Sequence, residues 1–175
     1  MKKAFYIFSI LFFLVGCTNN HEKRISIQLV KEGDILYSKG KIDEAIDKWK
    51  KALYFKKQSK IYEKIVVALI IKKKNKEAKK WVEEGLTYFP NCVNLIYNHA
   101  FLSVVDGKYD EAIKEIDRLL EINQYYPEAH FMKGMIFEKI GKKREAKAEY
   151  IKEVNINPGC KKAWKKIKEM KNETE

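Results

Sequence analysis

An all-α fold built from repeated helical hairpins is expected, and three observations predict it. The chain is rich in Lys, Glu, Ile, Leu and Ala and has only 8 Gly and 3 Pro among 175 residues, a balance that favours helix over strand. A short pattern also recurs: Asp43-Glu44-Ala45-Ile46, Lys76-Glu77-Ala78-Lys79, Asp110-Glu111-Ala112-Ile113 and Arg144-Glu145-Ala146-Lys147, the alanines standing 33, 34 and 34 residues apart. A period in this range without strand signals indicates a two-helix unit that cannot bury its apolar face alone and so stacks on copies of itself. Finally, Gly40, Gly107 and Gly141 sit where the first helix of a unit must end and reverse, and Pro90, Pro127 and Pro158 fall between units. No proline then interrupts a helix interior.

The N-terminal segment stands apart from this pattern. Lys2 and Lys3 precede an apolar run from Ala4 to Val15 that is interrupted by Ser9 and ends at Gly16-Cys17, which has the form of an export signal. Twelve residues, eleven of them apolar, at about 1.5 Å each fall short of the ~30 Å hydrocarbon core, so a cleaved signal is expected rather than a permanent span. The tetrapeptide Leu14-Val15-Gly16-Cys17 resembles the lipobox of bacterial lipoproteins, with all four positions matched. The resemblance implies cleavage before Cys17 and a diacylglyceryl group on Cys17 Sγ, with acylation of the new amino terminus, so the covalent lipid is the one non-protein group expected. It also implies a division into a signal peptide at 1–16, a lipidated Cys with a short tether at 17–25, a repeat array with its cap at 26–172 and a tail at 173–175. Thr18 stands where an Asp retains relatives in the inner membrane, which points to the outer membrane, facing the periplasm.

The units follow in order. The first, 26–58, contributes Leu29, Gly33, Leu36, Ala45, Trp49 and Ala52; the second, 59–92, Tyr62, Ile65, Leu69, Ala78, Val82 and Pro90. The third, 93–126, has Ile96, Ala100, Ala112, Ile116 and Leu119, with His99 and Ser103 replacing the usual Leu and Tyr; the fourth, 127–160, has Gly134, Phe137, Ala146, Tyr150 and Pro158. Trp164 and Ile167 restart the pattern once more, as a solvating cap helix would. These residues resemble the tetratricopeptide repeat (TPR), and the resemblance implies an α-solenoid of about four hairpins plus a C-terminal capping helix. Gly33 and Gly134 lack a Cβ, which lets the second helix approach the first, while Trp49 and Tyr150 fill the space beside them.

In tetratricopeptide arrays the concave face is lined by the first helix of each hairpin, helix A, and receives extended peptides or partner helices. The resemblance places there Ile27, Val30, Asp34, Tyr37 and Ser38 from the first unit and Lys60, Glu63, Val67, Ile70 and Ile71 from the second. The third gives Asn94, Tyr97, Phe101, Val104 and Val105, and the fourth Glu128, Phe131, Met135, Glu138 and Lys139. The binding candidates are the apolar and aromatic members Val67, Ile70, Ile71, Tyr97, Phe101, Val104, Phe131 and Met135, because an exposed apolar stripe invites a partner. The carboxylate clamp of chaperone-binding relatives is not matched, since Val30 and Asp34 replace its Lys and Asn.

Catalytic chemistry finds no foothold. His21, His99 and His130 share no metal-ligand spacing, and Cys92 and Cys160 have no Cys or His at the expected interval. No Gly-x-Ser-x-Gly, phosphate-cradling glycine loop or His-Glu-x-x-His occurs. A non-enzyme is expected, with no metal and no cofactor. Cys92 and Cys160 lie at equivalent turns two units apart, beyond the ~7 Å reach of a disulfide, so both should be free. His130 reads as a packed core residue in an aromatic position.

The net charge is +12, and Arg supplies only Arg24, Arg118 and Arg144 of 36 cations. Nucleic-acid sites favour Arg forks, so nucleic acid is not an expected partner. The leading expectation is a lipid-anchored scaffold or adaptor that binds a segment of another cell-envelope protein, as in the assembly of outer-membrane or pilus machinery. Two alternatives stay open: an anionic polymer or membrane-surface binder working through the hairpin tips Lys72, Lys73, Lys74, Lys76, Lys142 and Lys143, or a homo-oligomer formed through the groove.

Overall fold

The structure is a computed structural model that describes residues 2–172, with side chains described from 20 to 170. Among the described residues there are nine helices and no strand: α1 Lys2–Ser38, α2 Ile42–Phe55, α3 Ser59–Ile71, α4 Asn75–Tyr88, α5 Val93–Val105, α6 Tyr109–Ile122, α7 Ala129–Lys139, α8 Lys143–Ile156 and α9 Lys161–Asn172. The hairpins α1–α2, α3–α4, α5–α6 and α7–α8 coincide with the four expected units, and α9 with the cap. Where a short tether is expected over 17–25, residues 20–25 continue the helix of α1. The chain divides into two compact units, Met1–Trp81 and Val82–Glu175.

Each helix A ends in the same way. Gly40, Gly107 and Gly141 have φ of +75°, +73° and +79°, a left-handed conformation that costs a residue without Cβ little. The reversal is a Schellman cap: Gly40 N–H donates to the Tyr37 carbonyl at 2.9 Å and Lys41 N–H to Leu36 at 3.0 Å. The pair recurs as Gly107 to Val104 and Lys108 to Ser103, and as Gly141 to Glu138 and Lys142 to Phe137. In the second hairpin Lys73 takes the glycine position, at φ +58°, and its N–H donates to Ile70 at 2.8 Å. The hydrogen bonds are retained, but a Cβ in this region costs about 1–2 kcal/mol. Lys73→Gly is therefore expected to raise stability by about 1 kcal/mol, read as a higher urea midpoint by circular dichroism; an unchanged or lower midpoint would contradict the strain.

The cores follow the alanine and glycine register. In the N-terminal unit Ala45, Trp49, Ala52, Ile61, Tyr62, Ile65, Leu69 and Ala78 are buried. A Cβ on Gly33 would lie 2.5 Å from Trp49 Nε1, so the absence of that carbon is what admits the indole. Ser26, also buried, donates from Oγ to the Ala52 carbonyl at 3.1 Å and ties α1 to α2. In the C-terminal unit Ile96, Ala100, Ala112, Ile116, Leu119, Met132 and Ile136 form one cluster, and Phe131, Ala146, Tyr150, Val154, Ala163 and Ile167 another. Gly134 faces Tyr150 as Gly33 faces Trp49, with a Cβ-to-Cε1 separation of 2.5 Å. Among the described residues Cys92 and Cys160 are not joined in a disulfide.

Candidate functional site

In the N-terminal unit, the helix A residues Asp34 and Tyr37 of α1 and Lys60, Glu63, Lys64 and Val67 of α3 surround a pocket of about 420 Å³, with Trp49 of α2 as its floor. Five of these are the positions expected on the binding face; Lys64 and Trp49 are additions. Trp49 belongs to the second helix of its hairpin, helix B, and local periodicity marks it as core, yet its indole N–H donates to Asp34 Oδ1 at 3.1 Å. Lys64 Nζ donates to the same oxygen at 2.7 Å and stands 5.6 Å from the Trp49 ring centroid. Tyr37 closes one side, its ring centroid 5.6 Å from that of Trp49. The pocket thus combines aromatic faces with fixed charges of both signs, which suits a peptide more than a purely apolar ligand. Val67 and Ile71 are exposed on α3, and Ile70 is half-buried.

In the C-terminal unit, Tyr97, Phe101 and Val104 of α5 are half-buried against the α5–α6–α7 core. Tyr97 lies 5.3 Å from Tyr126, whose hydroxyl donates to Asn94 Oδ1 at 2.8 Å. Burial pushes the Tyr97 phenol well above its ordinary range, with the charges of Glu128 and Glu153 adding to it. This tyrosine therefore stays neutral. Phe131 is corrected from groove to core: it is only 8% exposed and packs on Tyr150 at 5.5 Å between centroids. Met135, by contrast, is exposed and lines a second pocket of about 370 Å³ with Glu138, Lys139 and Lys166 of α9. Glu138 accepts from Tyr150 Oη at 2.7 Å and from Lys166 Nζ at 2.9 Å. The cap helix thus lines this pocket through Lys166 as well as covering the core.

His130, expected as a packed core residue, is largely buried, and it is also held by a polar partner. Its Nδ1 donates to Glu149 Oε2 at 2.6 Å, and Lys152 donates to the other carboxylate oxygen at 2.8 Å. Burial works against the Glu149 charge, but these bonds and the nearby Lys133 overcome it and hold the carboxyl at about 2. Beside it, the fully buried Glu153 accepts the backbone N–H groups of Glu128 and Phe131 at 3.0 and 3.3 Å. A carboxylate on the first free N–H groups of α7 stabilises that helix start.

The tip lysines are only partly available. Lys72 is paired with Asp43, and Lys74 lies 3.6 Å from the same carboxylate, so two of the four cations at the α3–α4 tip are engaged. Lys73 and Lys76 are exposed there, and Lys142 and Lys143 are exposed at the start of α8. The side chains of Gly16 and Cys17 and the tail at 173–175 lie outside what the structure describes. Among the described residues no group of three or more His, Cys, Asp or Glu is placed to hold a metal ion.

Residues 127–160 match the family model of the tetratricopeptide repeat. No curated protein matches the sequence. Among solved structures, MamA is similar at 21% identity and a TM-score of 0.70, over 77% of this chain and 80% of that one. YrrB, described as a TPR protein with an unusual peptide-binding site, is similar at 18% identity and a TM-score of 0.67, over 75% and 69%. A tetratricopeptide repeat protein from Parabacteroides merdae is similar at 17% identity and a TM-score of 0.71, over 80% of this chain and 56% of that one. The chain therefore carries a tetratricopeptide repeat at 127–160, and its helical hairpins have the tetratricopeptide fold.

Proposed function

We propose that this chain is a lipid-anchored interaction scaffold that holds a peptide segment or helix of another cell-envelope protein on its helix A faces. It works by binding, not by catalysis. The observation that carries the reading is the N-terminal pocket, where Tyr37 and Val67 offer apolar area at tetratricopeptide ligand positions beside the Trp49 indole and Asp34 and Lys64 offer fixed charge. The peptide site named for YrrB, a protein of the same fold, supports it. The lipobox resemblance at Leu14–Cys17 supports attachment to the membrane through Cys17, with Thr18 favouring the outer membrane. Once acylated by two or three chains such a protein is stably anchored, whereas one chain holds it weakly.

Two experiments test this reading. Cys17→Ala is expected to abolish acyl labelling and detergent-phase partitioning, and unchanged labelling would remove the lipoprotein assignment. A photoreactive residue at Tyr37, Val67 or Met135 is expected to crosslink one discrete envelope protein in cells, while the same residue at the exposed helix B positions Tyr54 and Ile151 does not. Crosslinking only to a second copy of the chain would replace the scaffold reading with the homo-oligomer.

A further inference from the structure

The net positive charge of this protein is confined to one of its compact units. Residues 18–81 hold 18 Lys and Arg against 8 Asp and Glu, whereas residues 82–175 hold 16 of each. From residue 18 to its end α1 is itself balanced, with Lys23, Arg24 and Lys31 against Glu22, Glu32 and Asp34, and what sets it apart is which of these charges are paired. Ser26 and Gly33 face α2, and the acids at the two flanks of the helix are paired: Glu32 accepts from Lys48 at 2.6 Å, and Asp34, about 20° around from Ile27, accepts from Lys64 and Trp49. The acids of α1 beyond Arg24 are thus consumed internally. Between those flanks stand Arg24, Ile27, Lys31 and Ile35, which at 100° per residue fall within an arc of about 80°, followed by Lys39 at the helix end; Ile27, expected on the concave face, does not line the pocket and belongs to this outer arc. All five are exposed, the isoleucines at 42% and 54%. Among the described residues no carboxylate lies within ion-pair distance of Arg24, Lys31 or Lys39. Glu22, the acid at the start of this stretch, lies about 160° around the helix from Arg24.

We propose that this outer face of α1 lies on an anionic membrane surface, with Arg24, Lys31 and Lys39 at the lipid headgroups and Ile27 and Ile35 at the acyl boundary. Cations interleaved with exposed isoleucines are the pattern of an interfacial helix, since each residue type finds its own layer. A soluble polyanion would satisfy the cations but leave the isoleucines in water, which is why the bilayer is the better occupant. Cys17 lies seven residues before Arg24, about 10 Å along a helix, so the proposed lipid would deliver this face to the bilayer it fits. The inference rests on the membrane location proposed above, but the contact itself does not require acylation of Cys17.

The test uses the full chain in vesicles and reads position rather than binding, because the apolar residues 4–15 would retain the chain on any bilayer. A fluorescent amino acid incorporated at position 35 is expected to be quenched by headgroup-level quenchers in vesicles containing phosphatidylglycerol. Quenching should be at least threefold weaker in phosphatidylcholine vesicles and in the Arg24→Glu, Lys31→Glu, Lys39→Glu variant, and it should fall as salt is raised. These three positions are exposed, and a wild-type melt of the variant by circular dichroism confirms its fold. Equal quenching in neutral and anionic vesicles, or in variant and wild type, would overturn the proposal. So would a probe that responds to soluble polyphosphate but not to anionic vesicles, an outcome that would assign the face to an anionic polymer. A failed Cys17→Ala labelling test would remove the lipid anchor and leave this vesicle result standing or falling separately.

Discussion

Valine at Gly134 is expected to destabilise the C-terminal unit by about 3 kcal/mol. A Cβ there would stand 2.5 and 2.7 Å from Cε1 and Cδ1 of Tyr150, distances that no real Cβ contact shows. Tyr150 cannot step aside, because it is fully buried among Ala146, Val154 and Phe131 and its hydroxyl is held by Glu138. Overpacking a site whose neighbour is locked costs about 1–3 kcal/mol, and displacing a buried aromatic costs about 3–5 kcal/mol. The gain from replacing a mid-helix glycine is at most about 1 kcal/mol, so the steric cost decides the sign. Urea melts followed by circular dichroism measure it. Gly141→Ala is the control, since no atom lies within 4 Å of its Cβ position and only the φ of +79° opposes it; a loss of about 1 kcal/mol is expected there. Combining Gly134→Val with Tyr150→Ala should recover part of the loss, because the second change removes the ring that the first one strikes. A wild-type midpoint for Gly134→Val would show that helix A and helix B do not cross at this residue.

That crossing was legible in the sequence because it depends on residue types that have no substitute there. Only glycine leaves room for the aromatic ring, and the spacing from Gly33 to Trp49 repeats from Gly134 to Tyr150. The left-handed turns at Gly40, Gly107 and Gly141 were legible for the same reason, whereas Lys73 concealed the equivalent turn behind an ordinary residue. The candidate binding face was legible in helical phase but not in depth. Helix periodicity places Phe131 and Met135 on one side of α7, yet only tertiary packing buries Phe131 on Tyr150 and leaves Met135 open. Charge pairing was the least legible part. Lys72 and Asp43 are 29 residues apart and Lys64 and Asp34 are 30 apart, so no i,i+4 rule connects them. Counting tip lysines therefore overstates the cations that the second hairpin offers to a partner.

The same long-range pairing governs the response to acid. Between pH 4.5 and pH 2 the wild-type protein is expected to lose about 3 kcal/mol through Glu149 alone. Its carboxyl is held at about 2 in the folded chain against an ordinary value of 4.5. A depressed carboxylate contributes stability that is fully present above the unfolded value and is lost as pH falls through the folded one, which sets the window. Burial opposes this charge, and the partners that overcome it come from two helices: His130 and Lys133 on α7, and Lys152 on α8. Glu149→Gln removes the charge at every pH, so the variant should be less stable than wild type at pH 7 by about the same ~3 kcal/mol and should converge on it near pH 2. Glu138 provides a check on the direction: burial opposes its charge too, while Tyr150 and Lys166 hold it below its ordinary value. The wild-type slope should therefore not vanish entirely in the variant. Urea melts at successive pH values give both curves. Parallel curves from pH 7 to pH 2 would mean that the His130–Glu149 contact does not carry the charge of Glu149 in solution, and that the buried pair contributes shape to the α7–α8 hairpin rather than electrostatic stability.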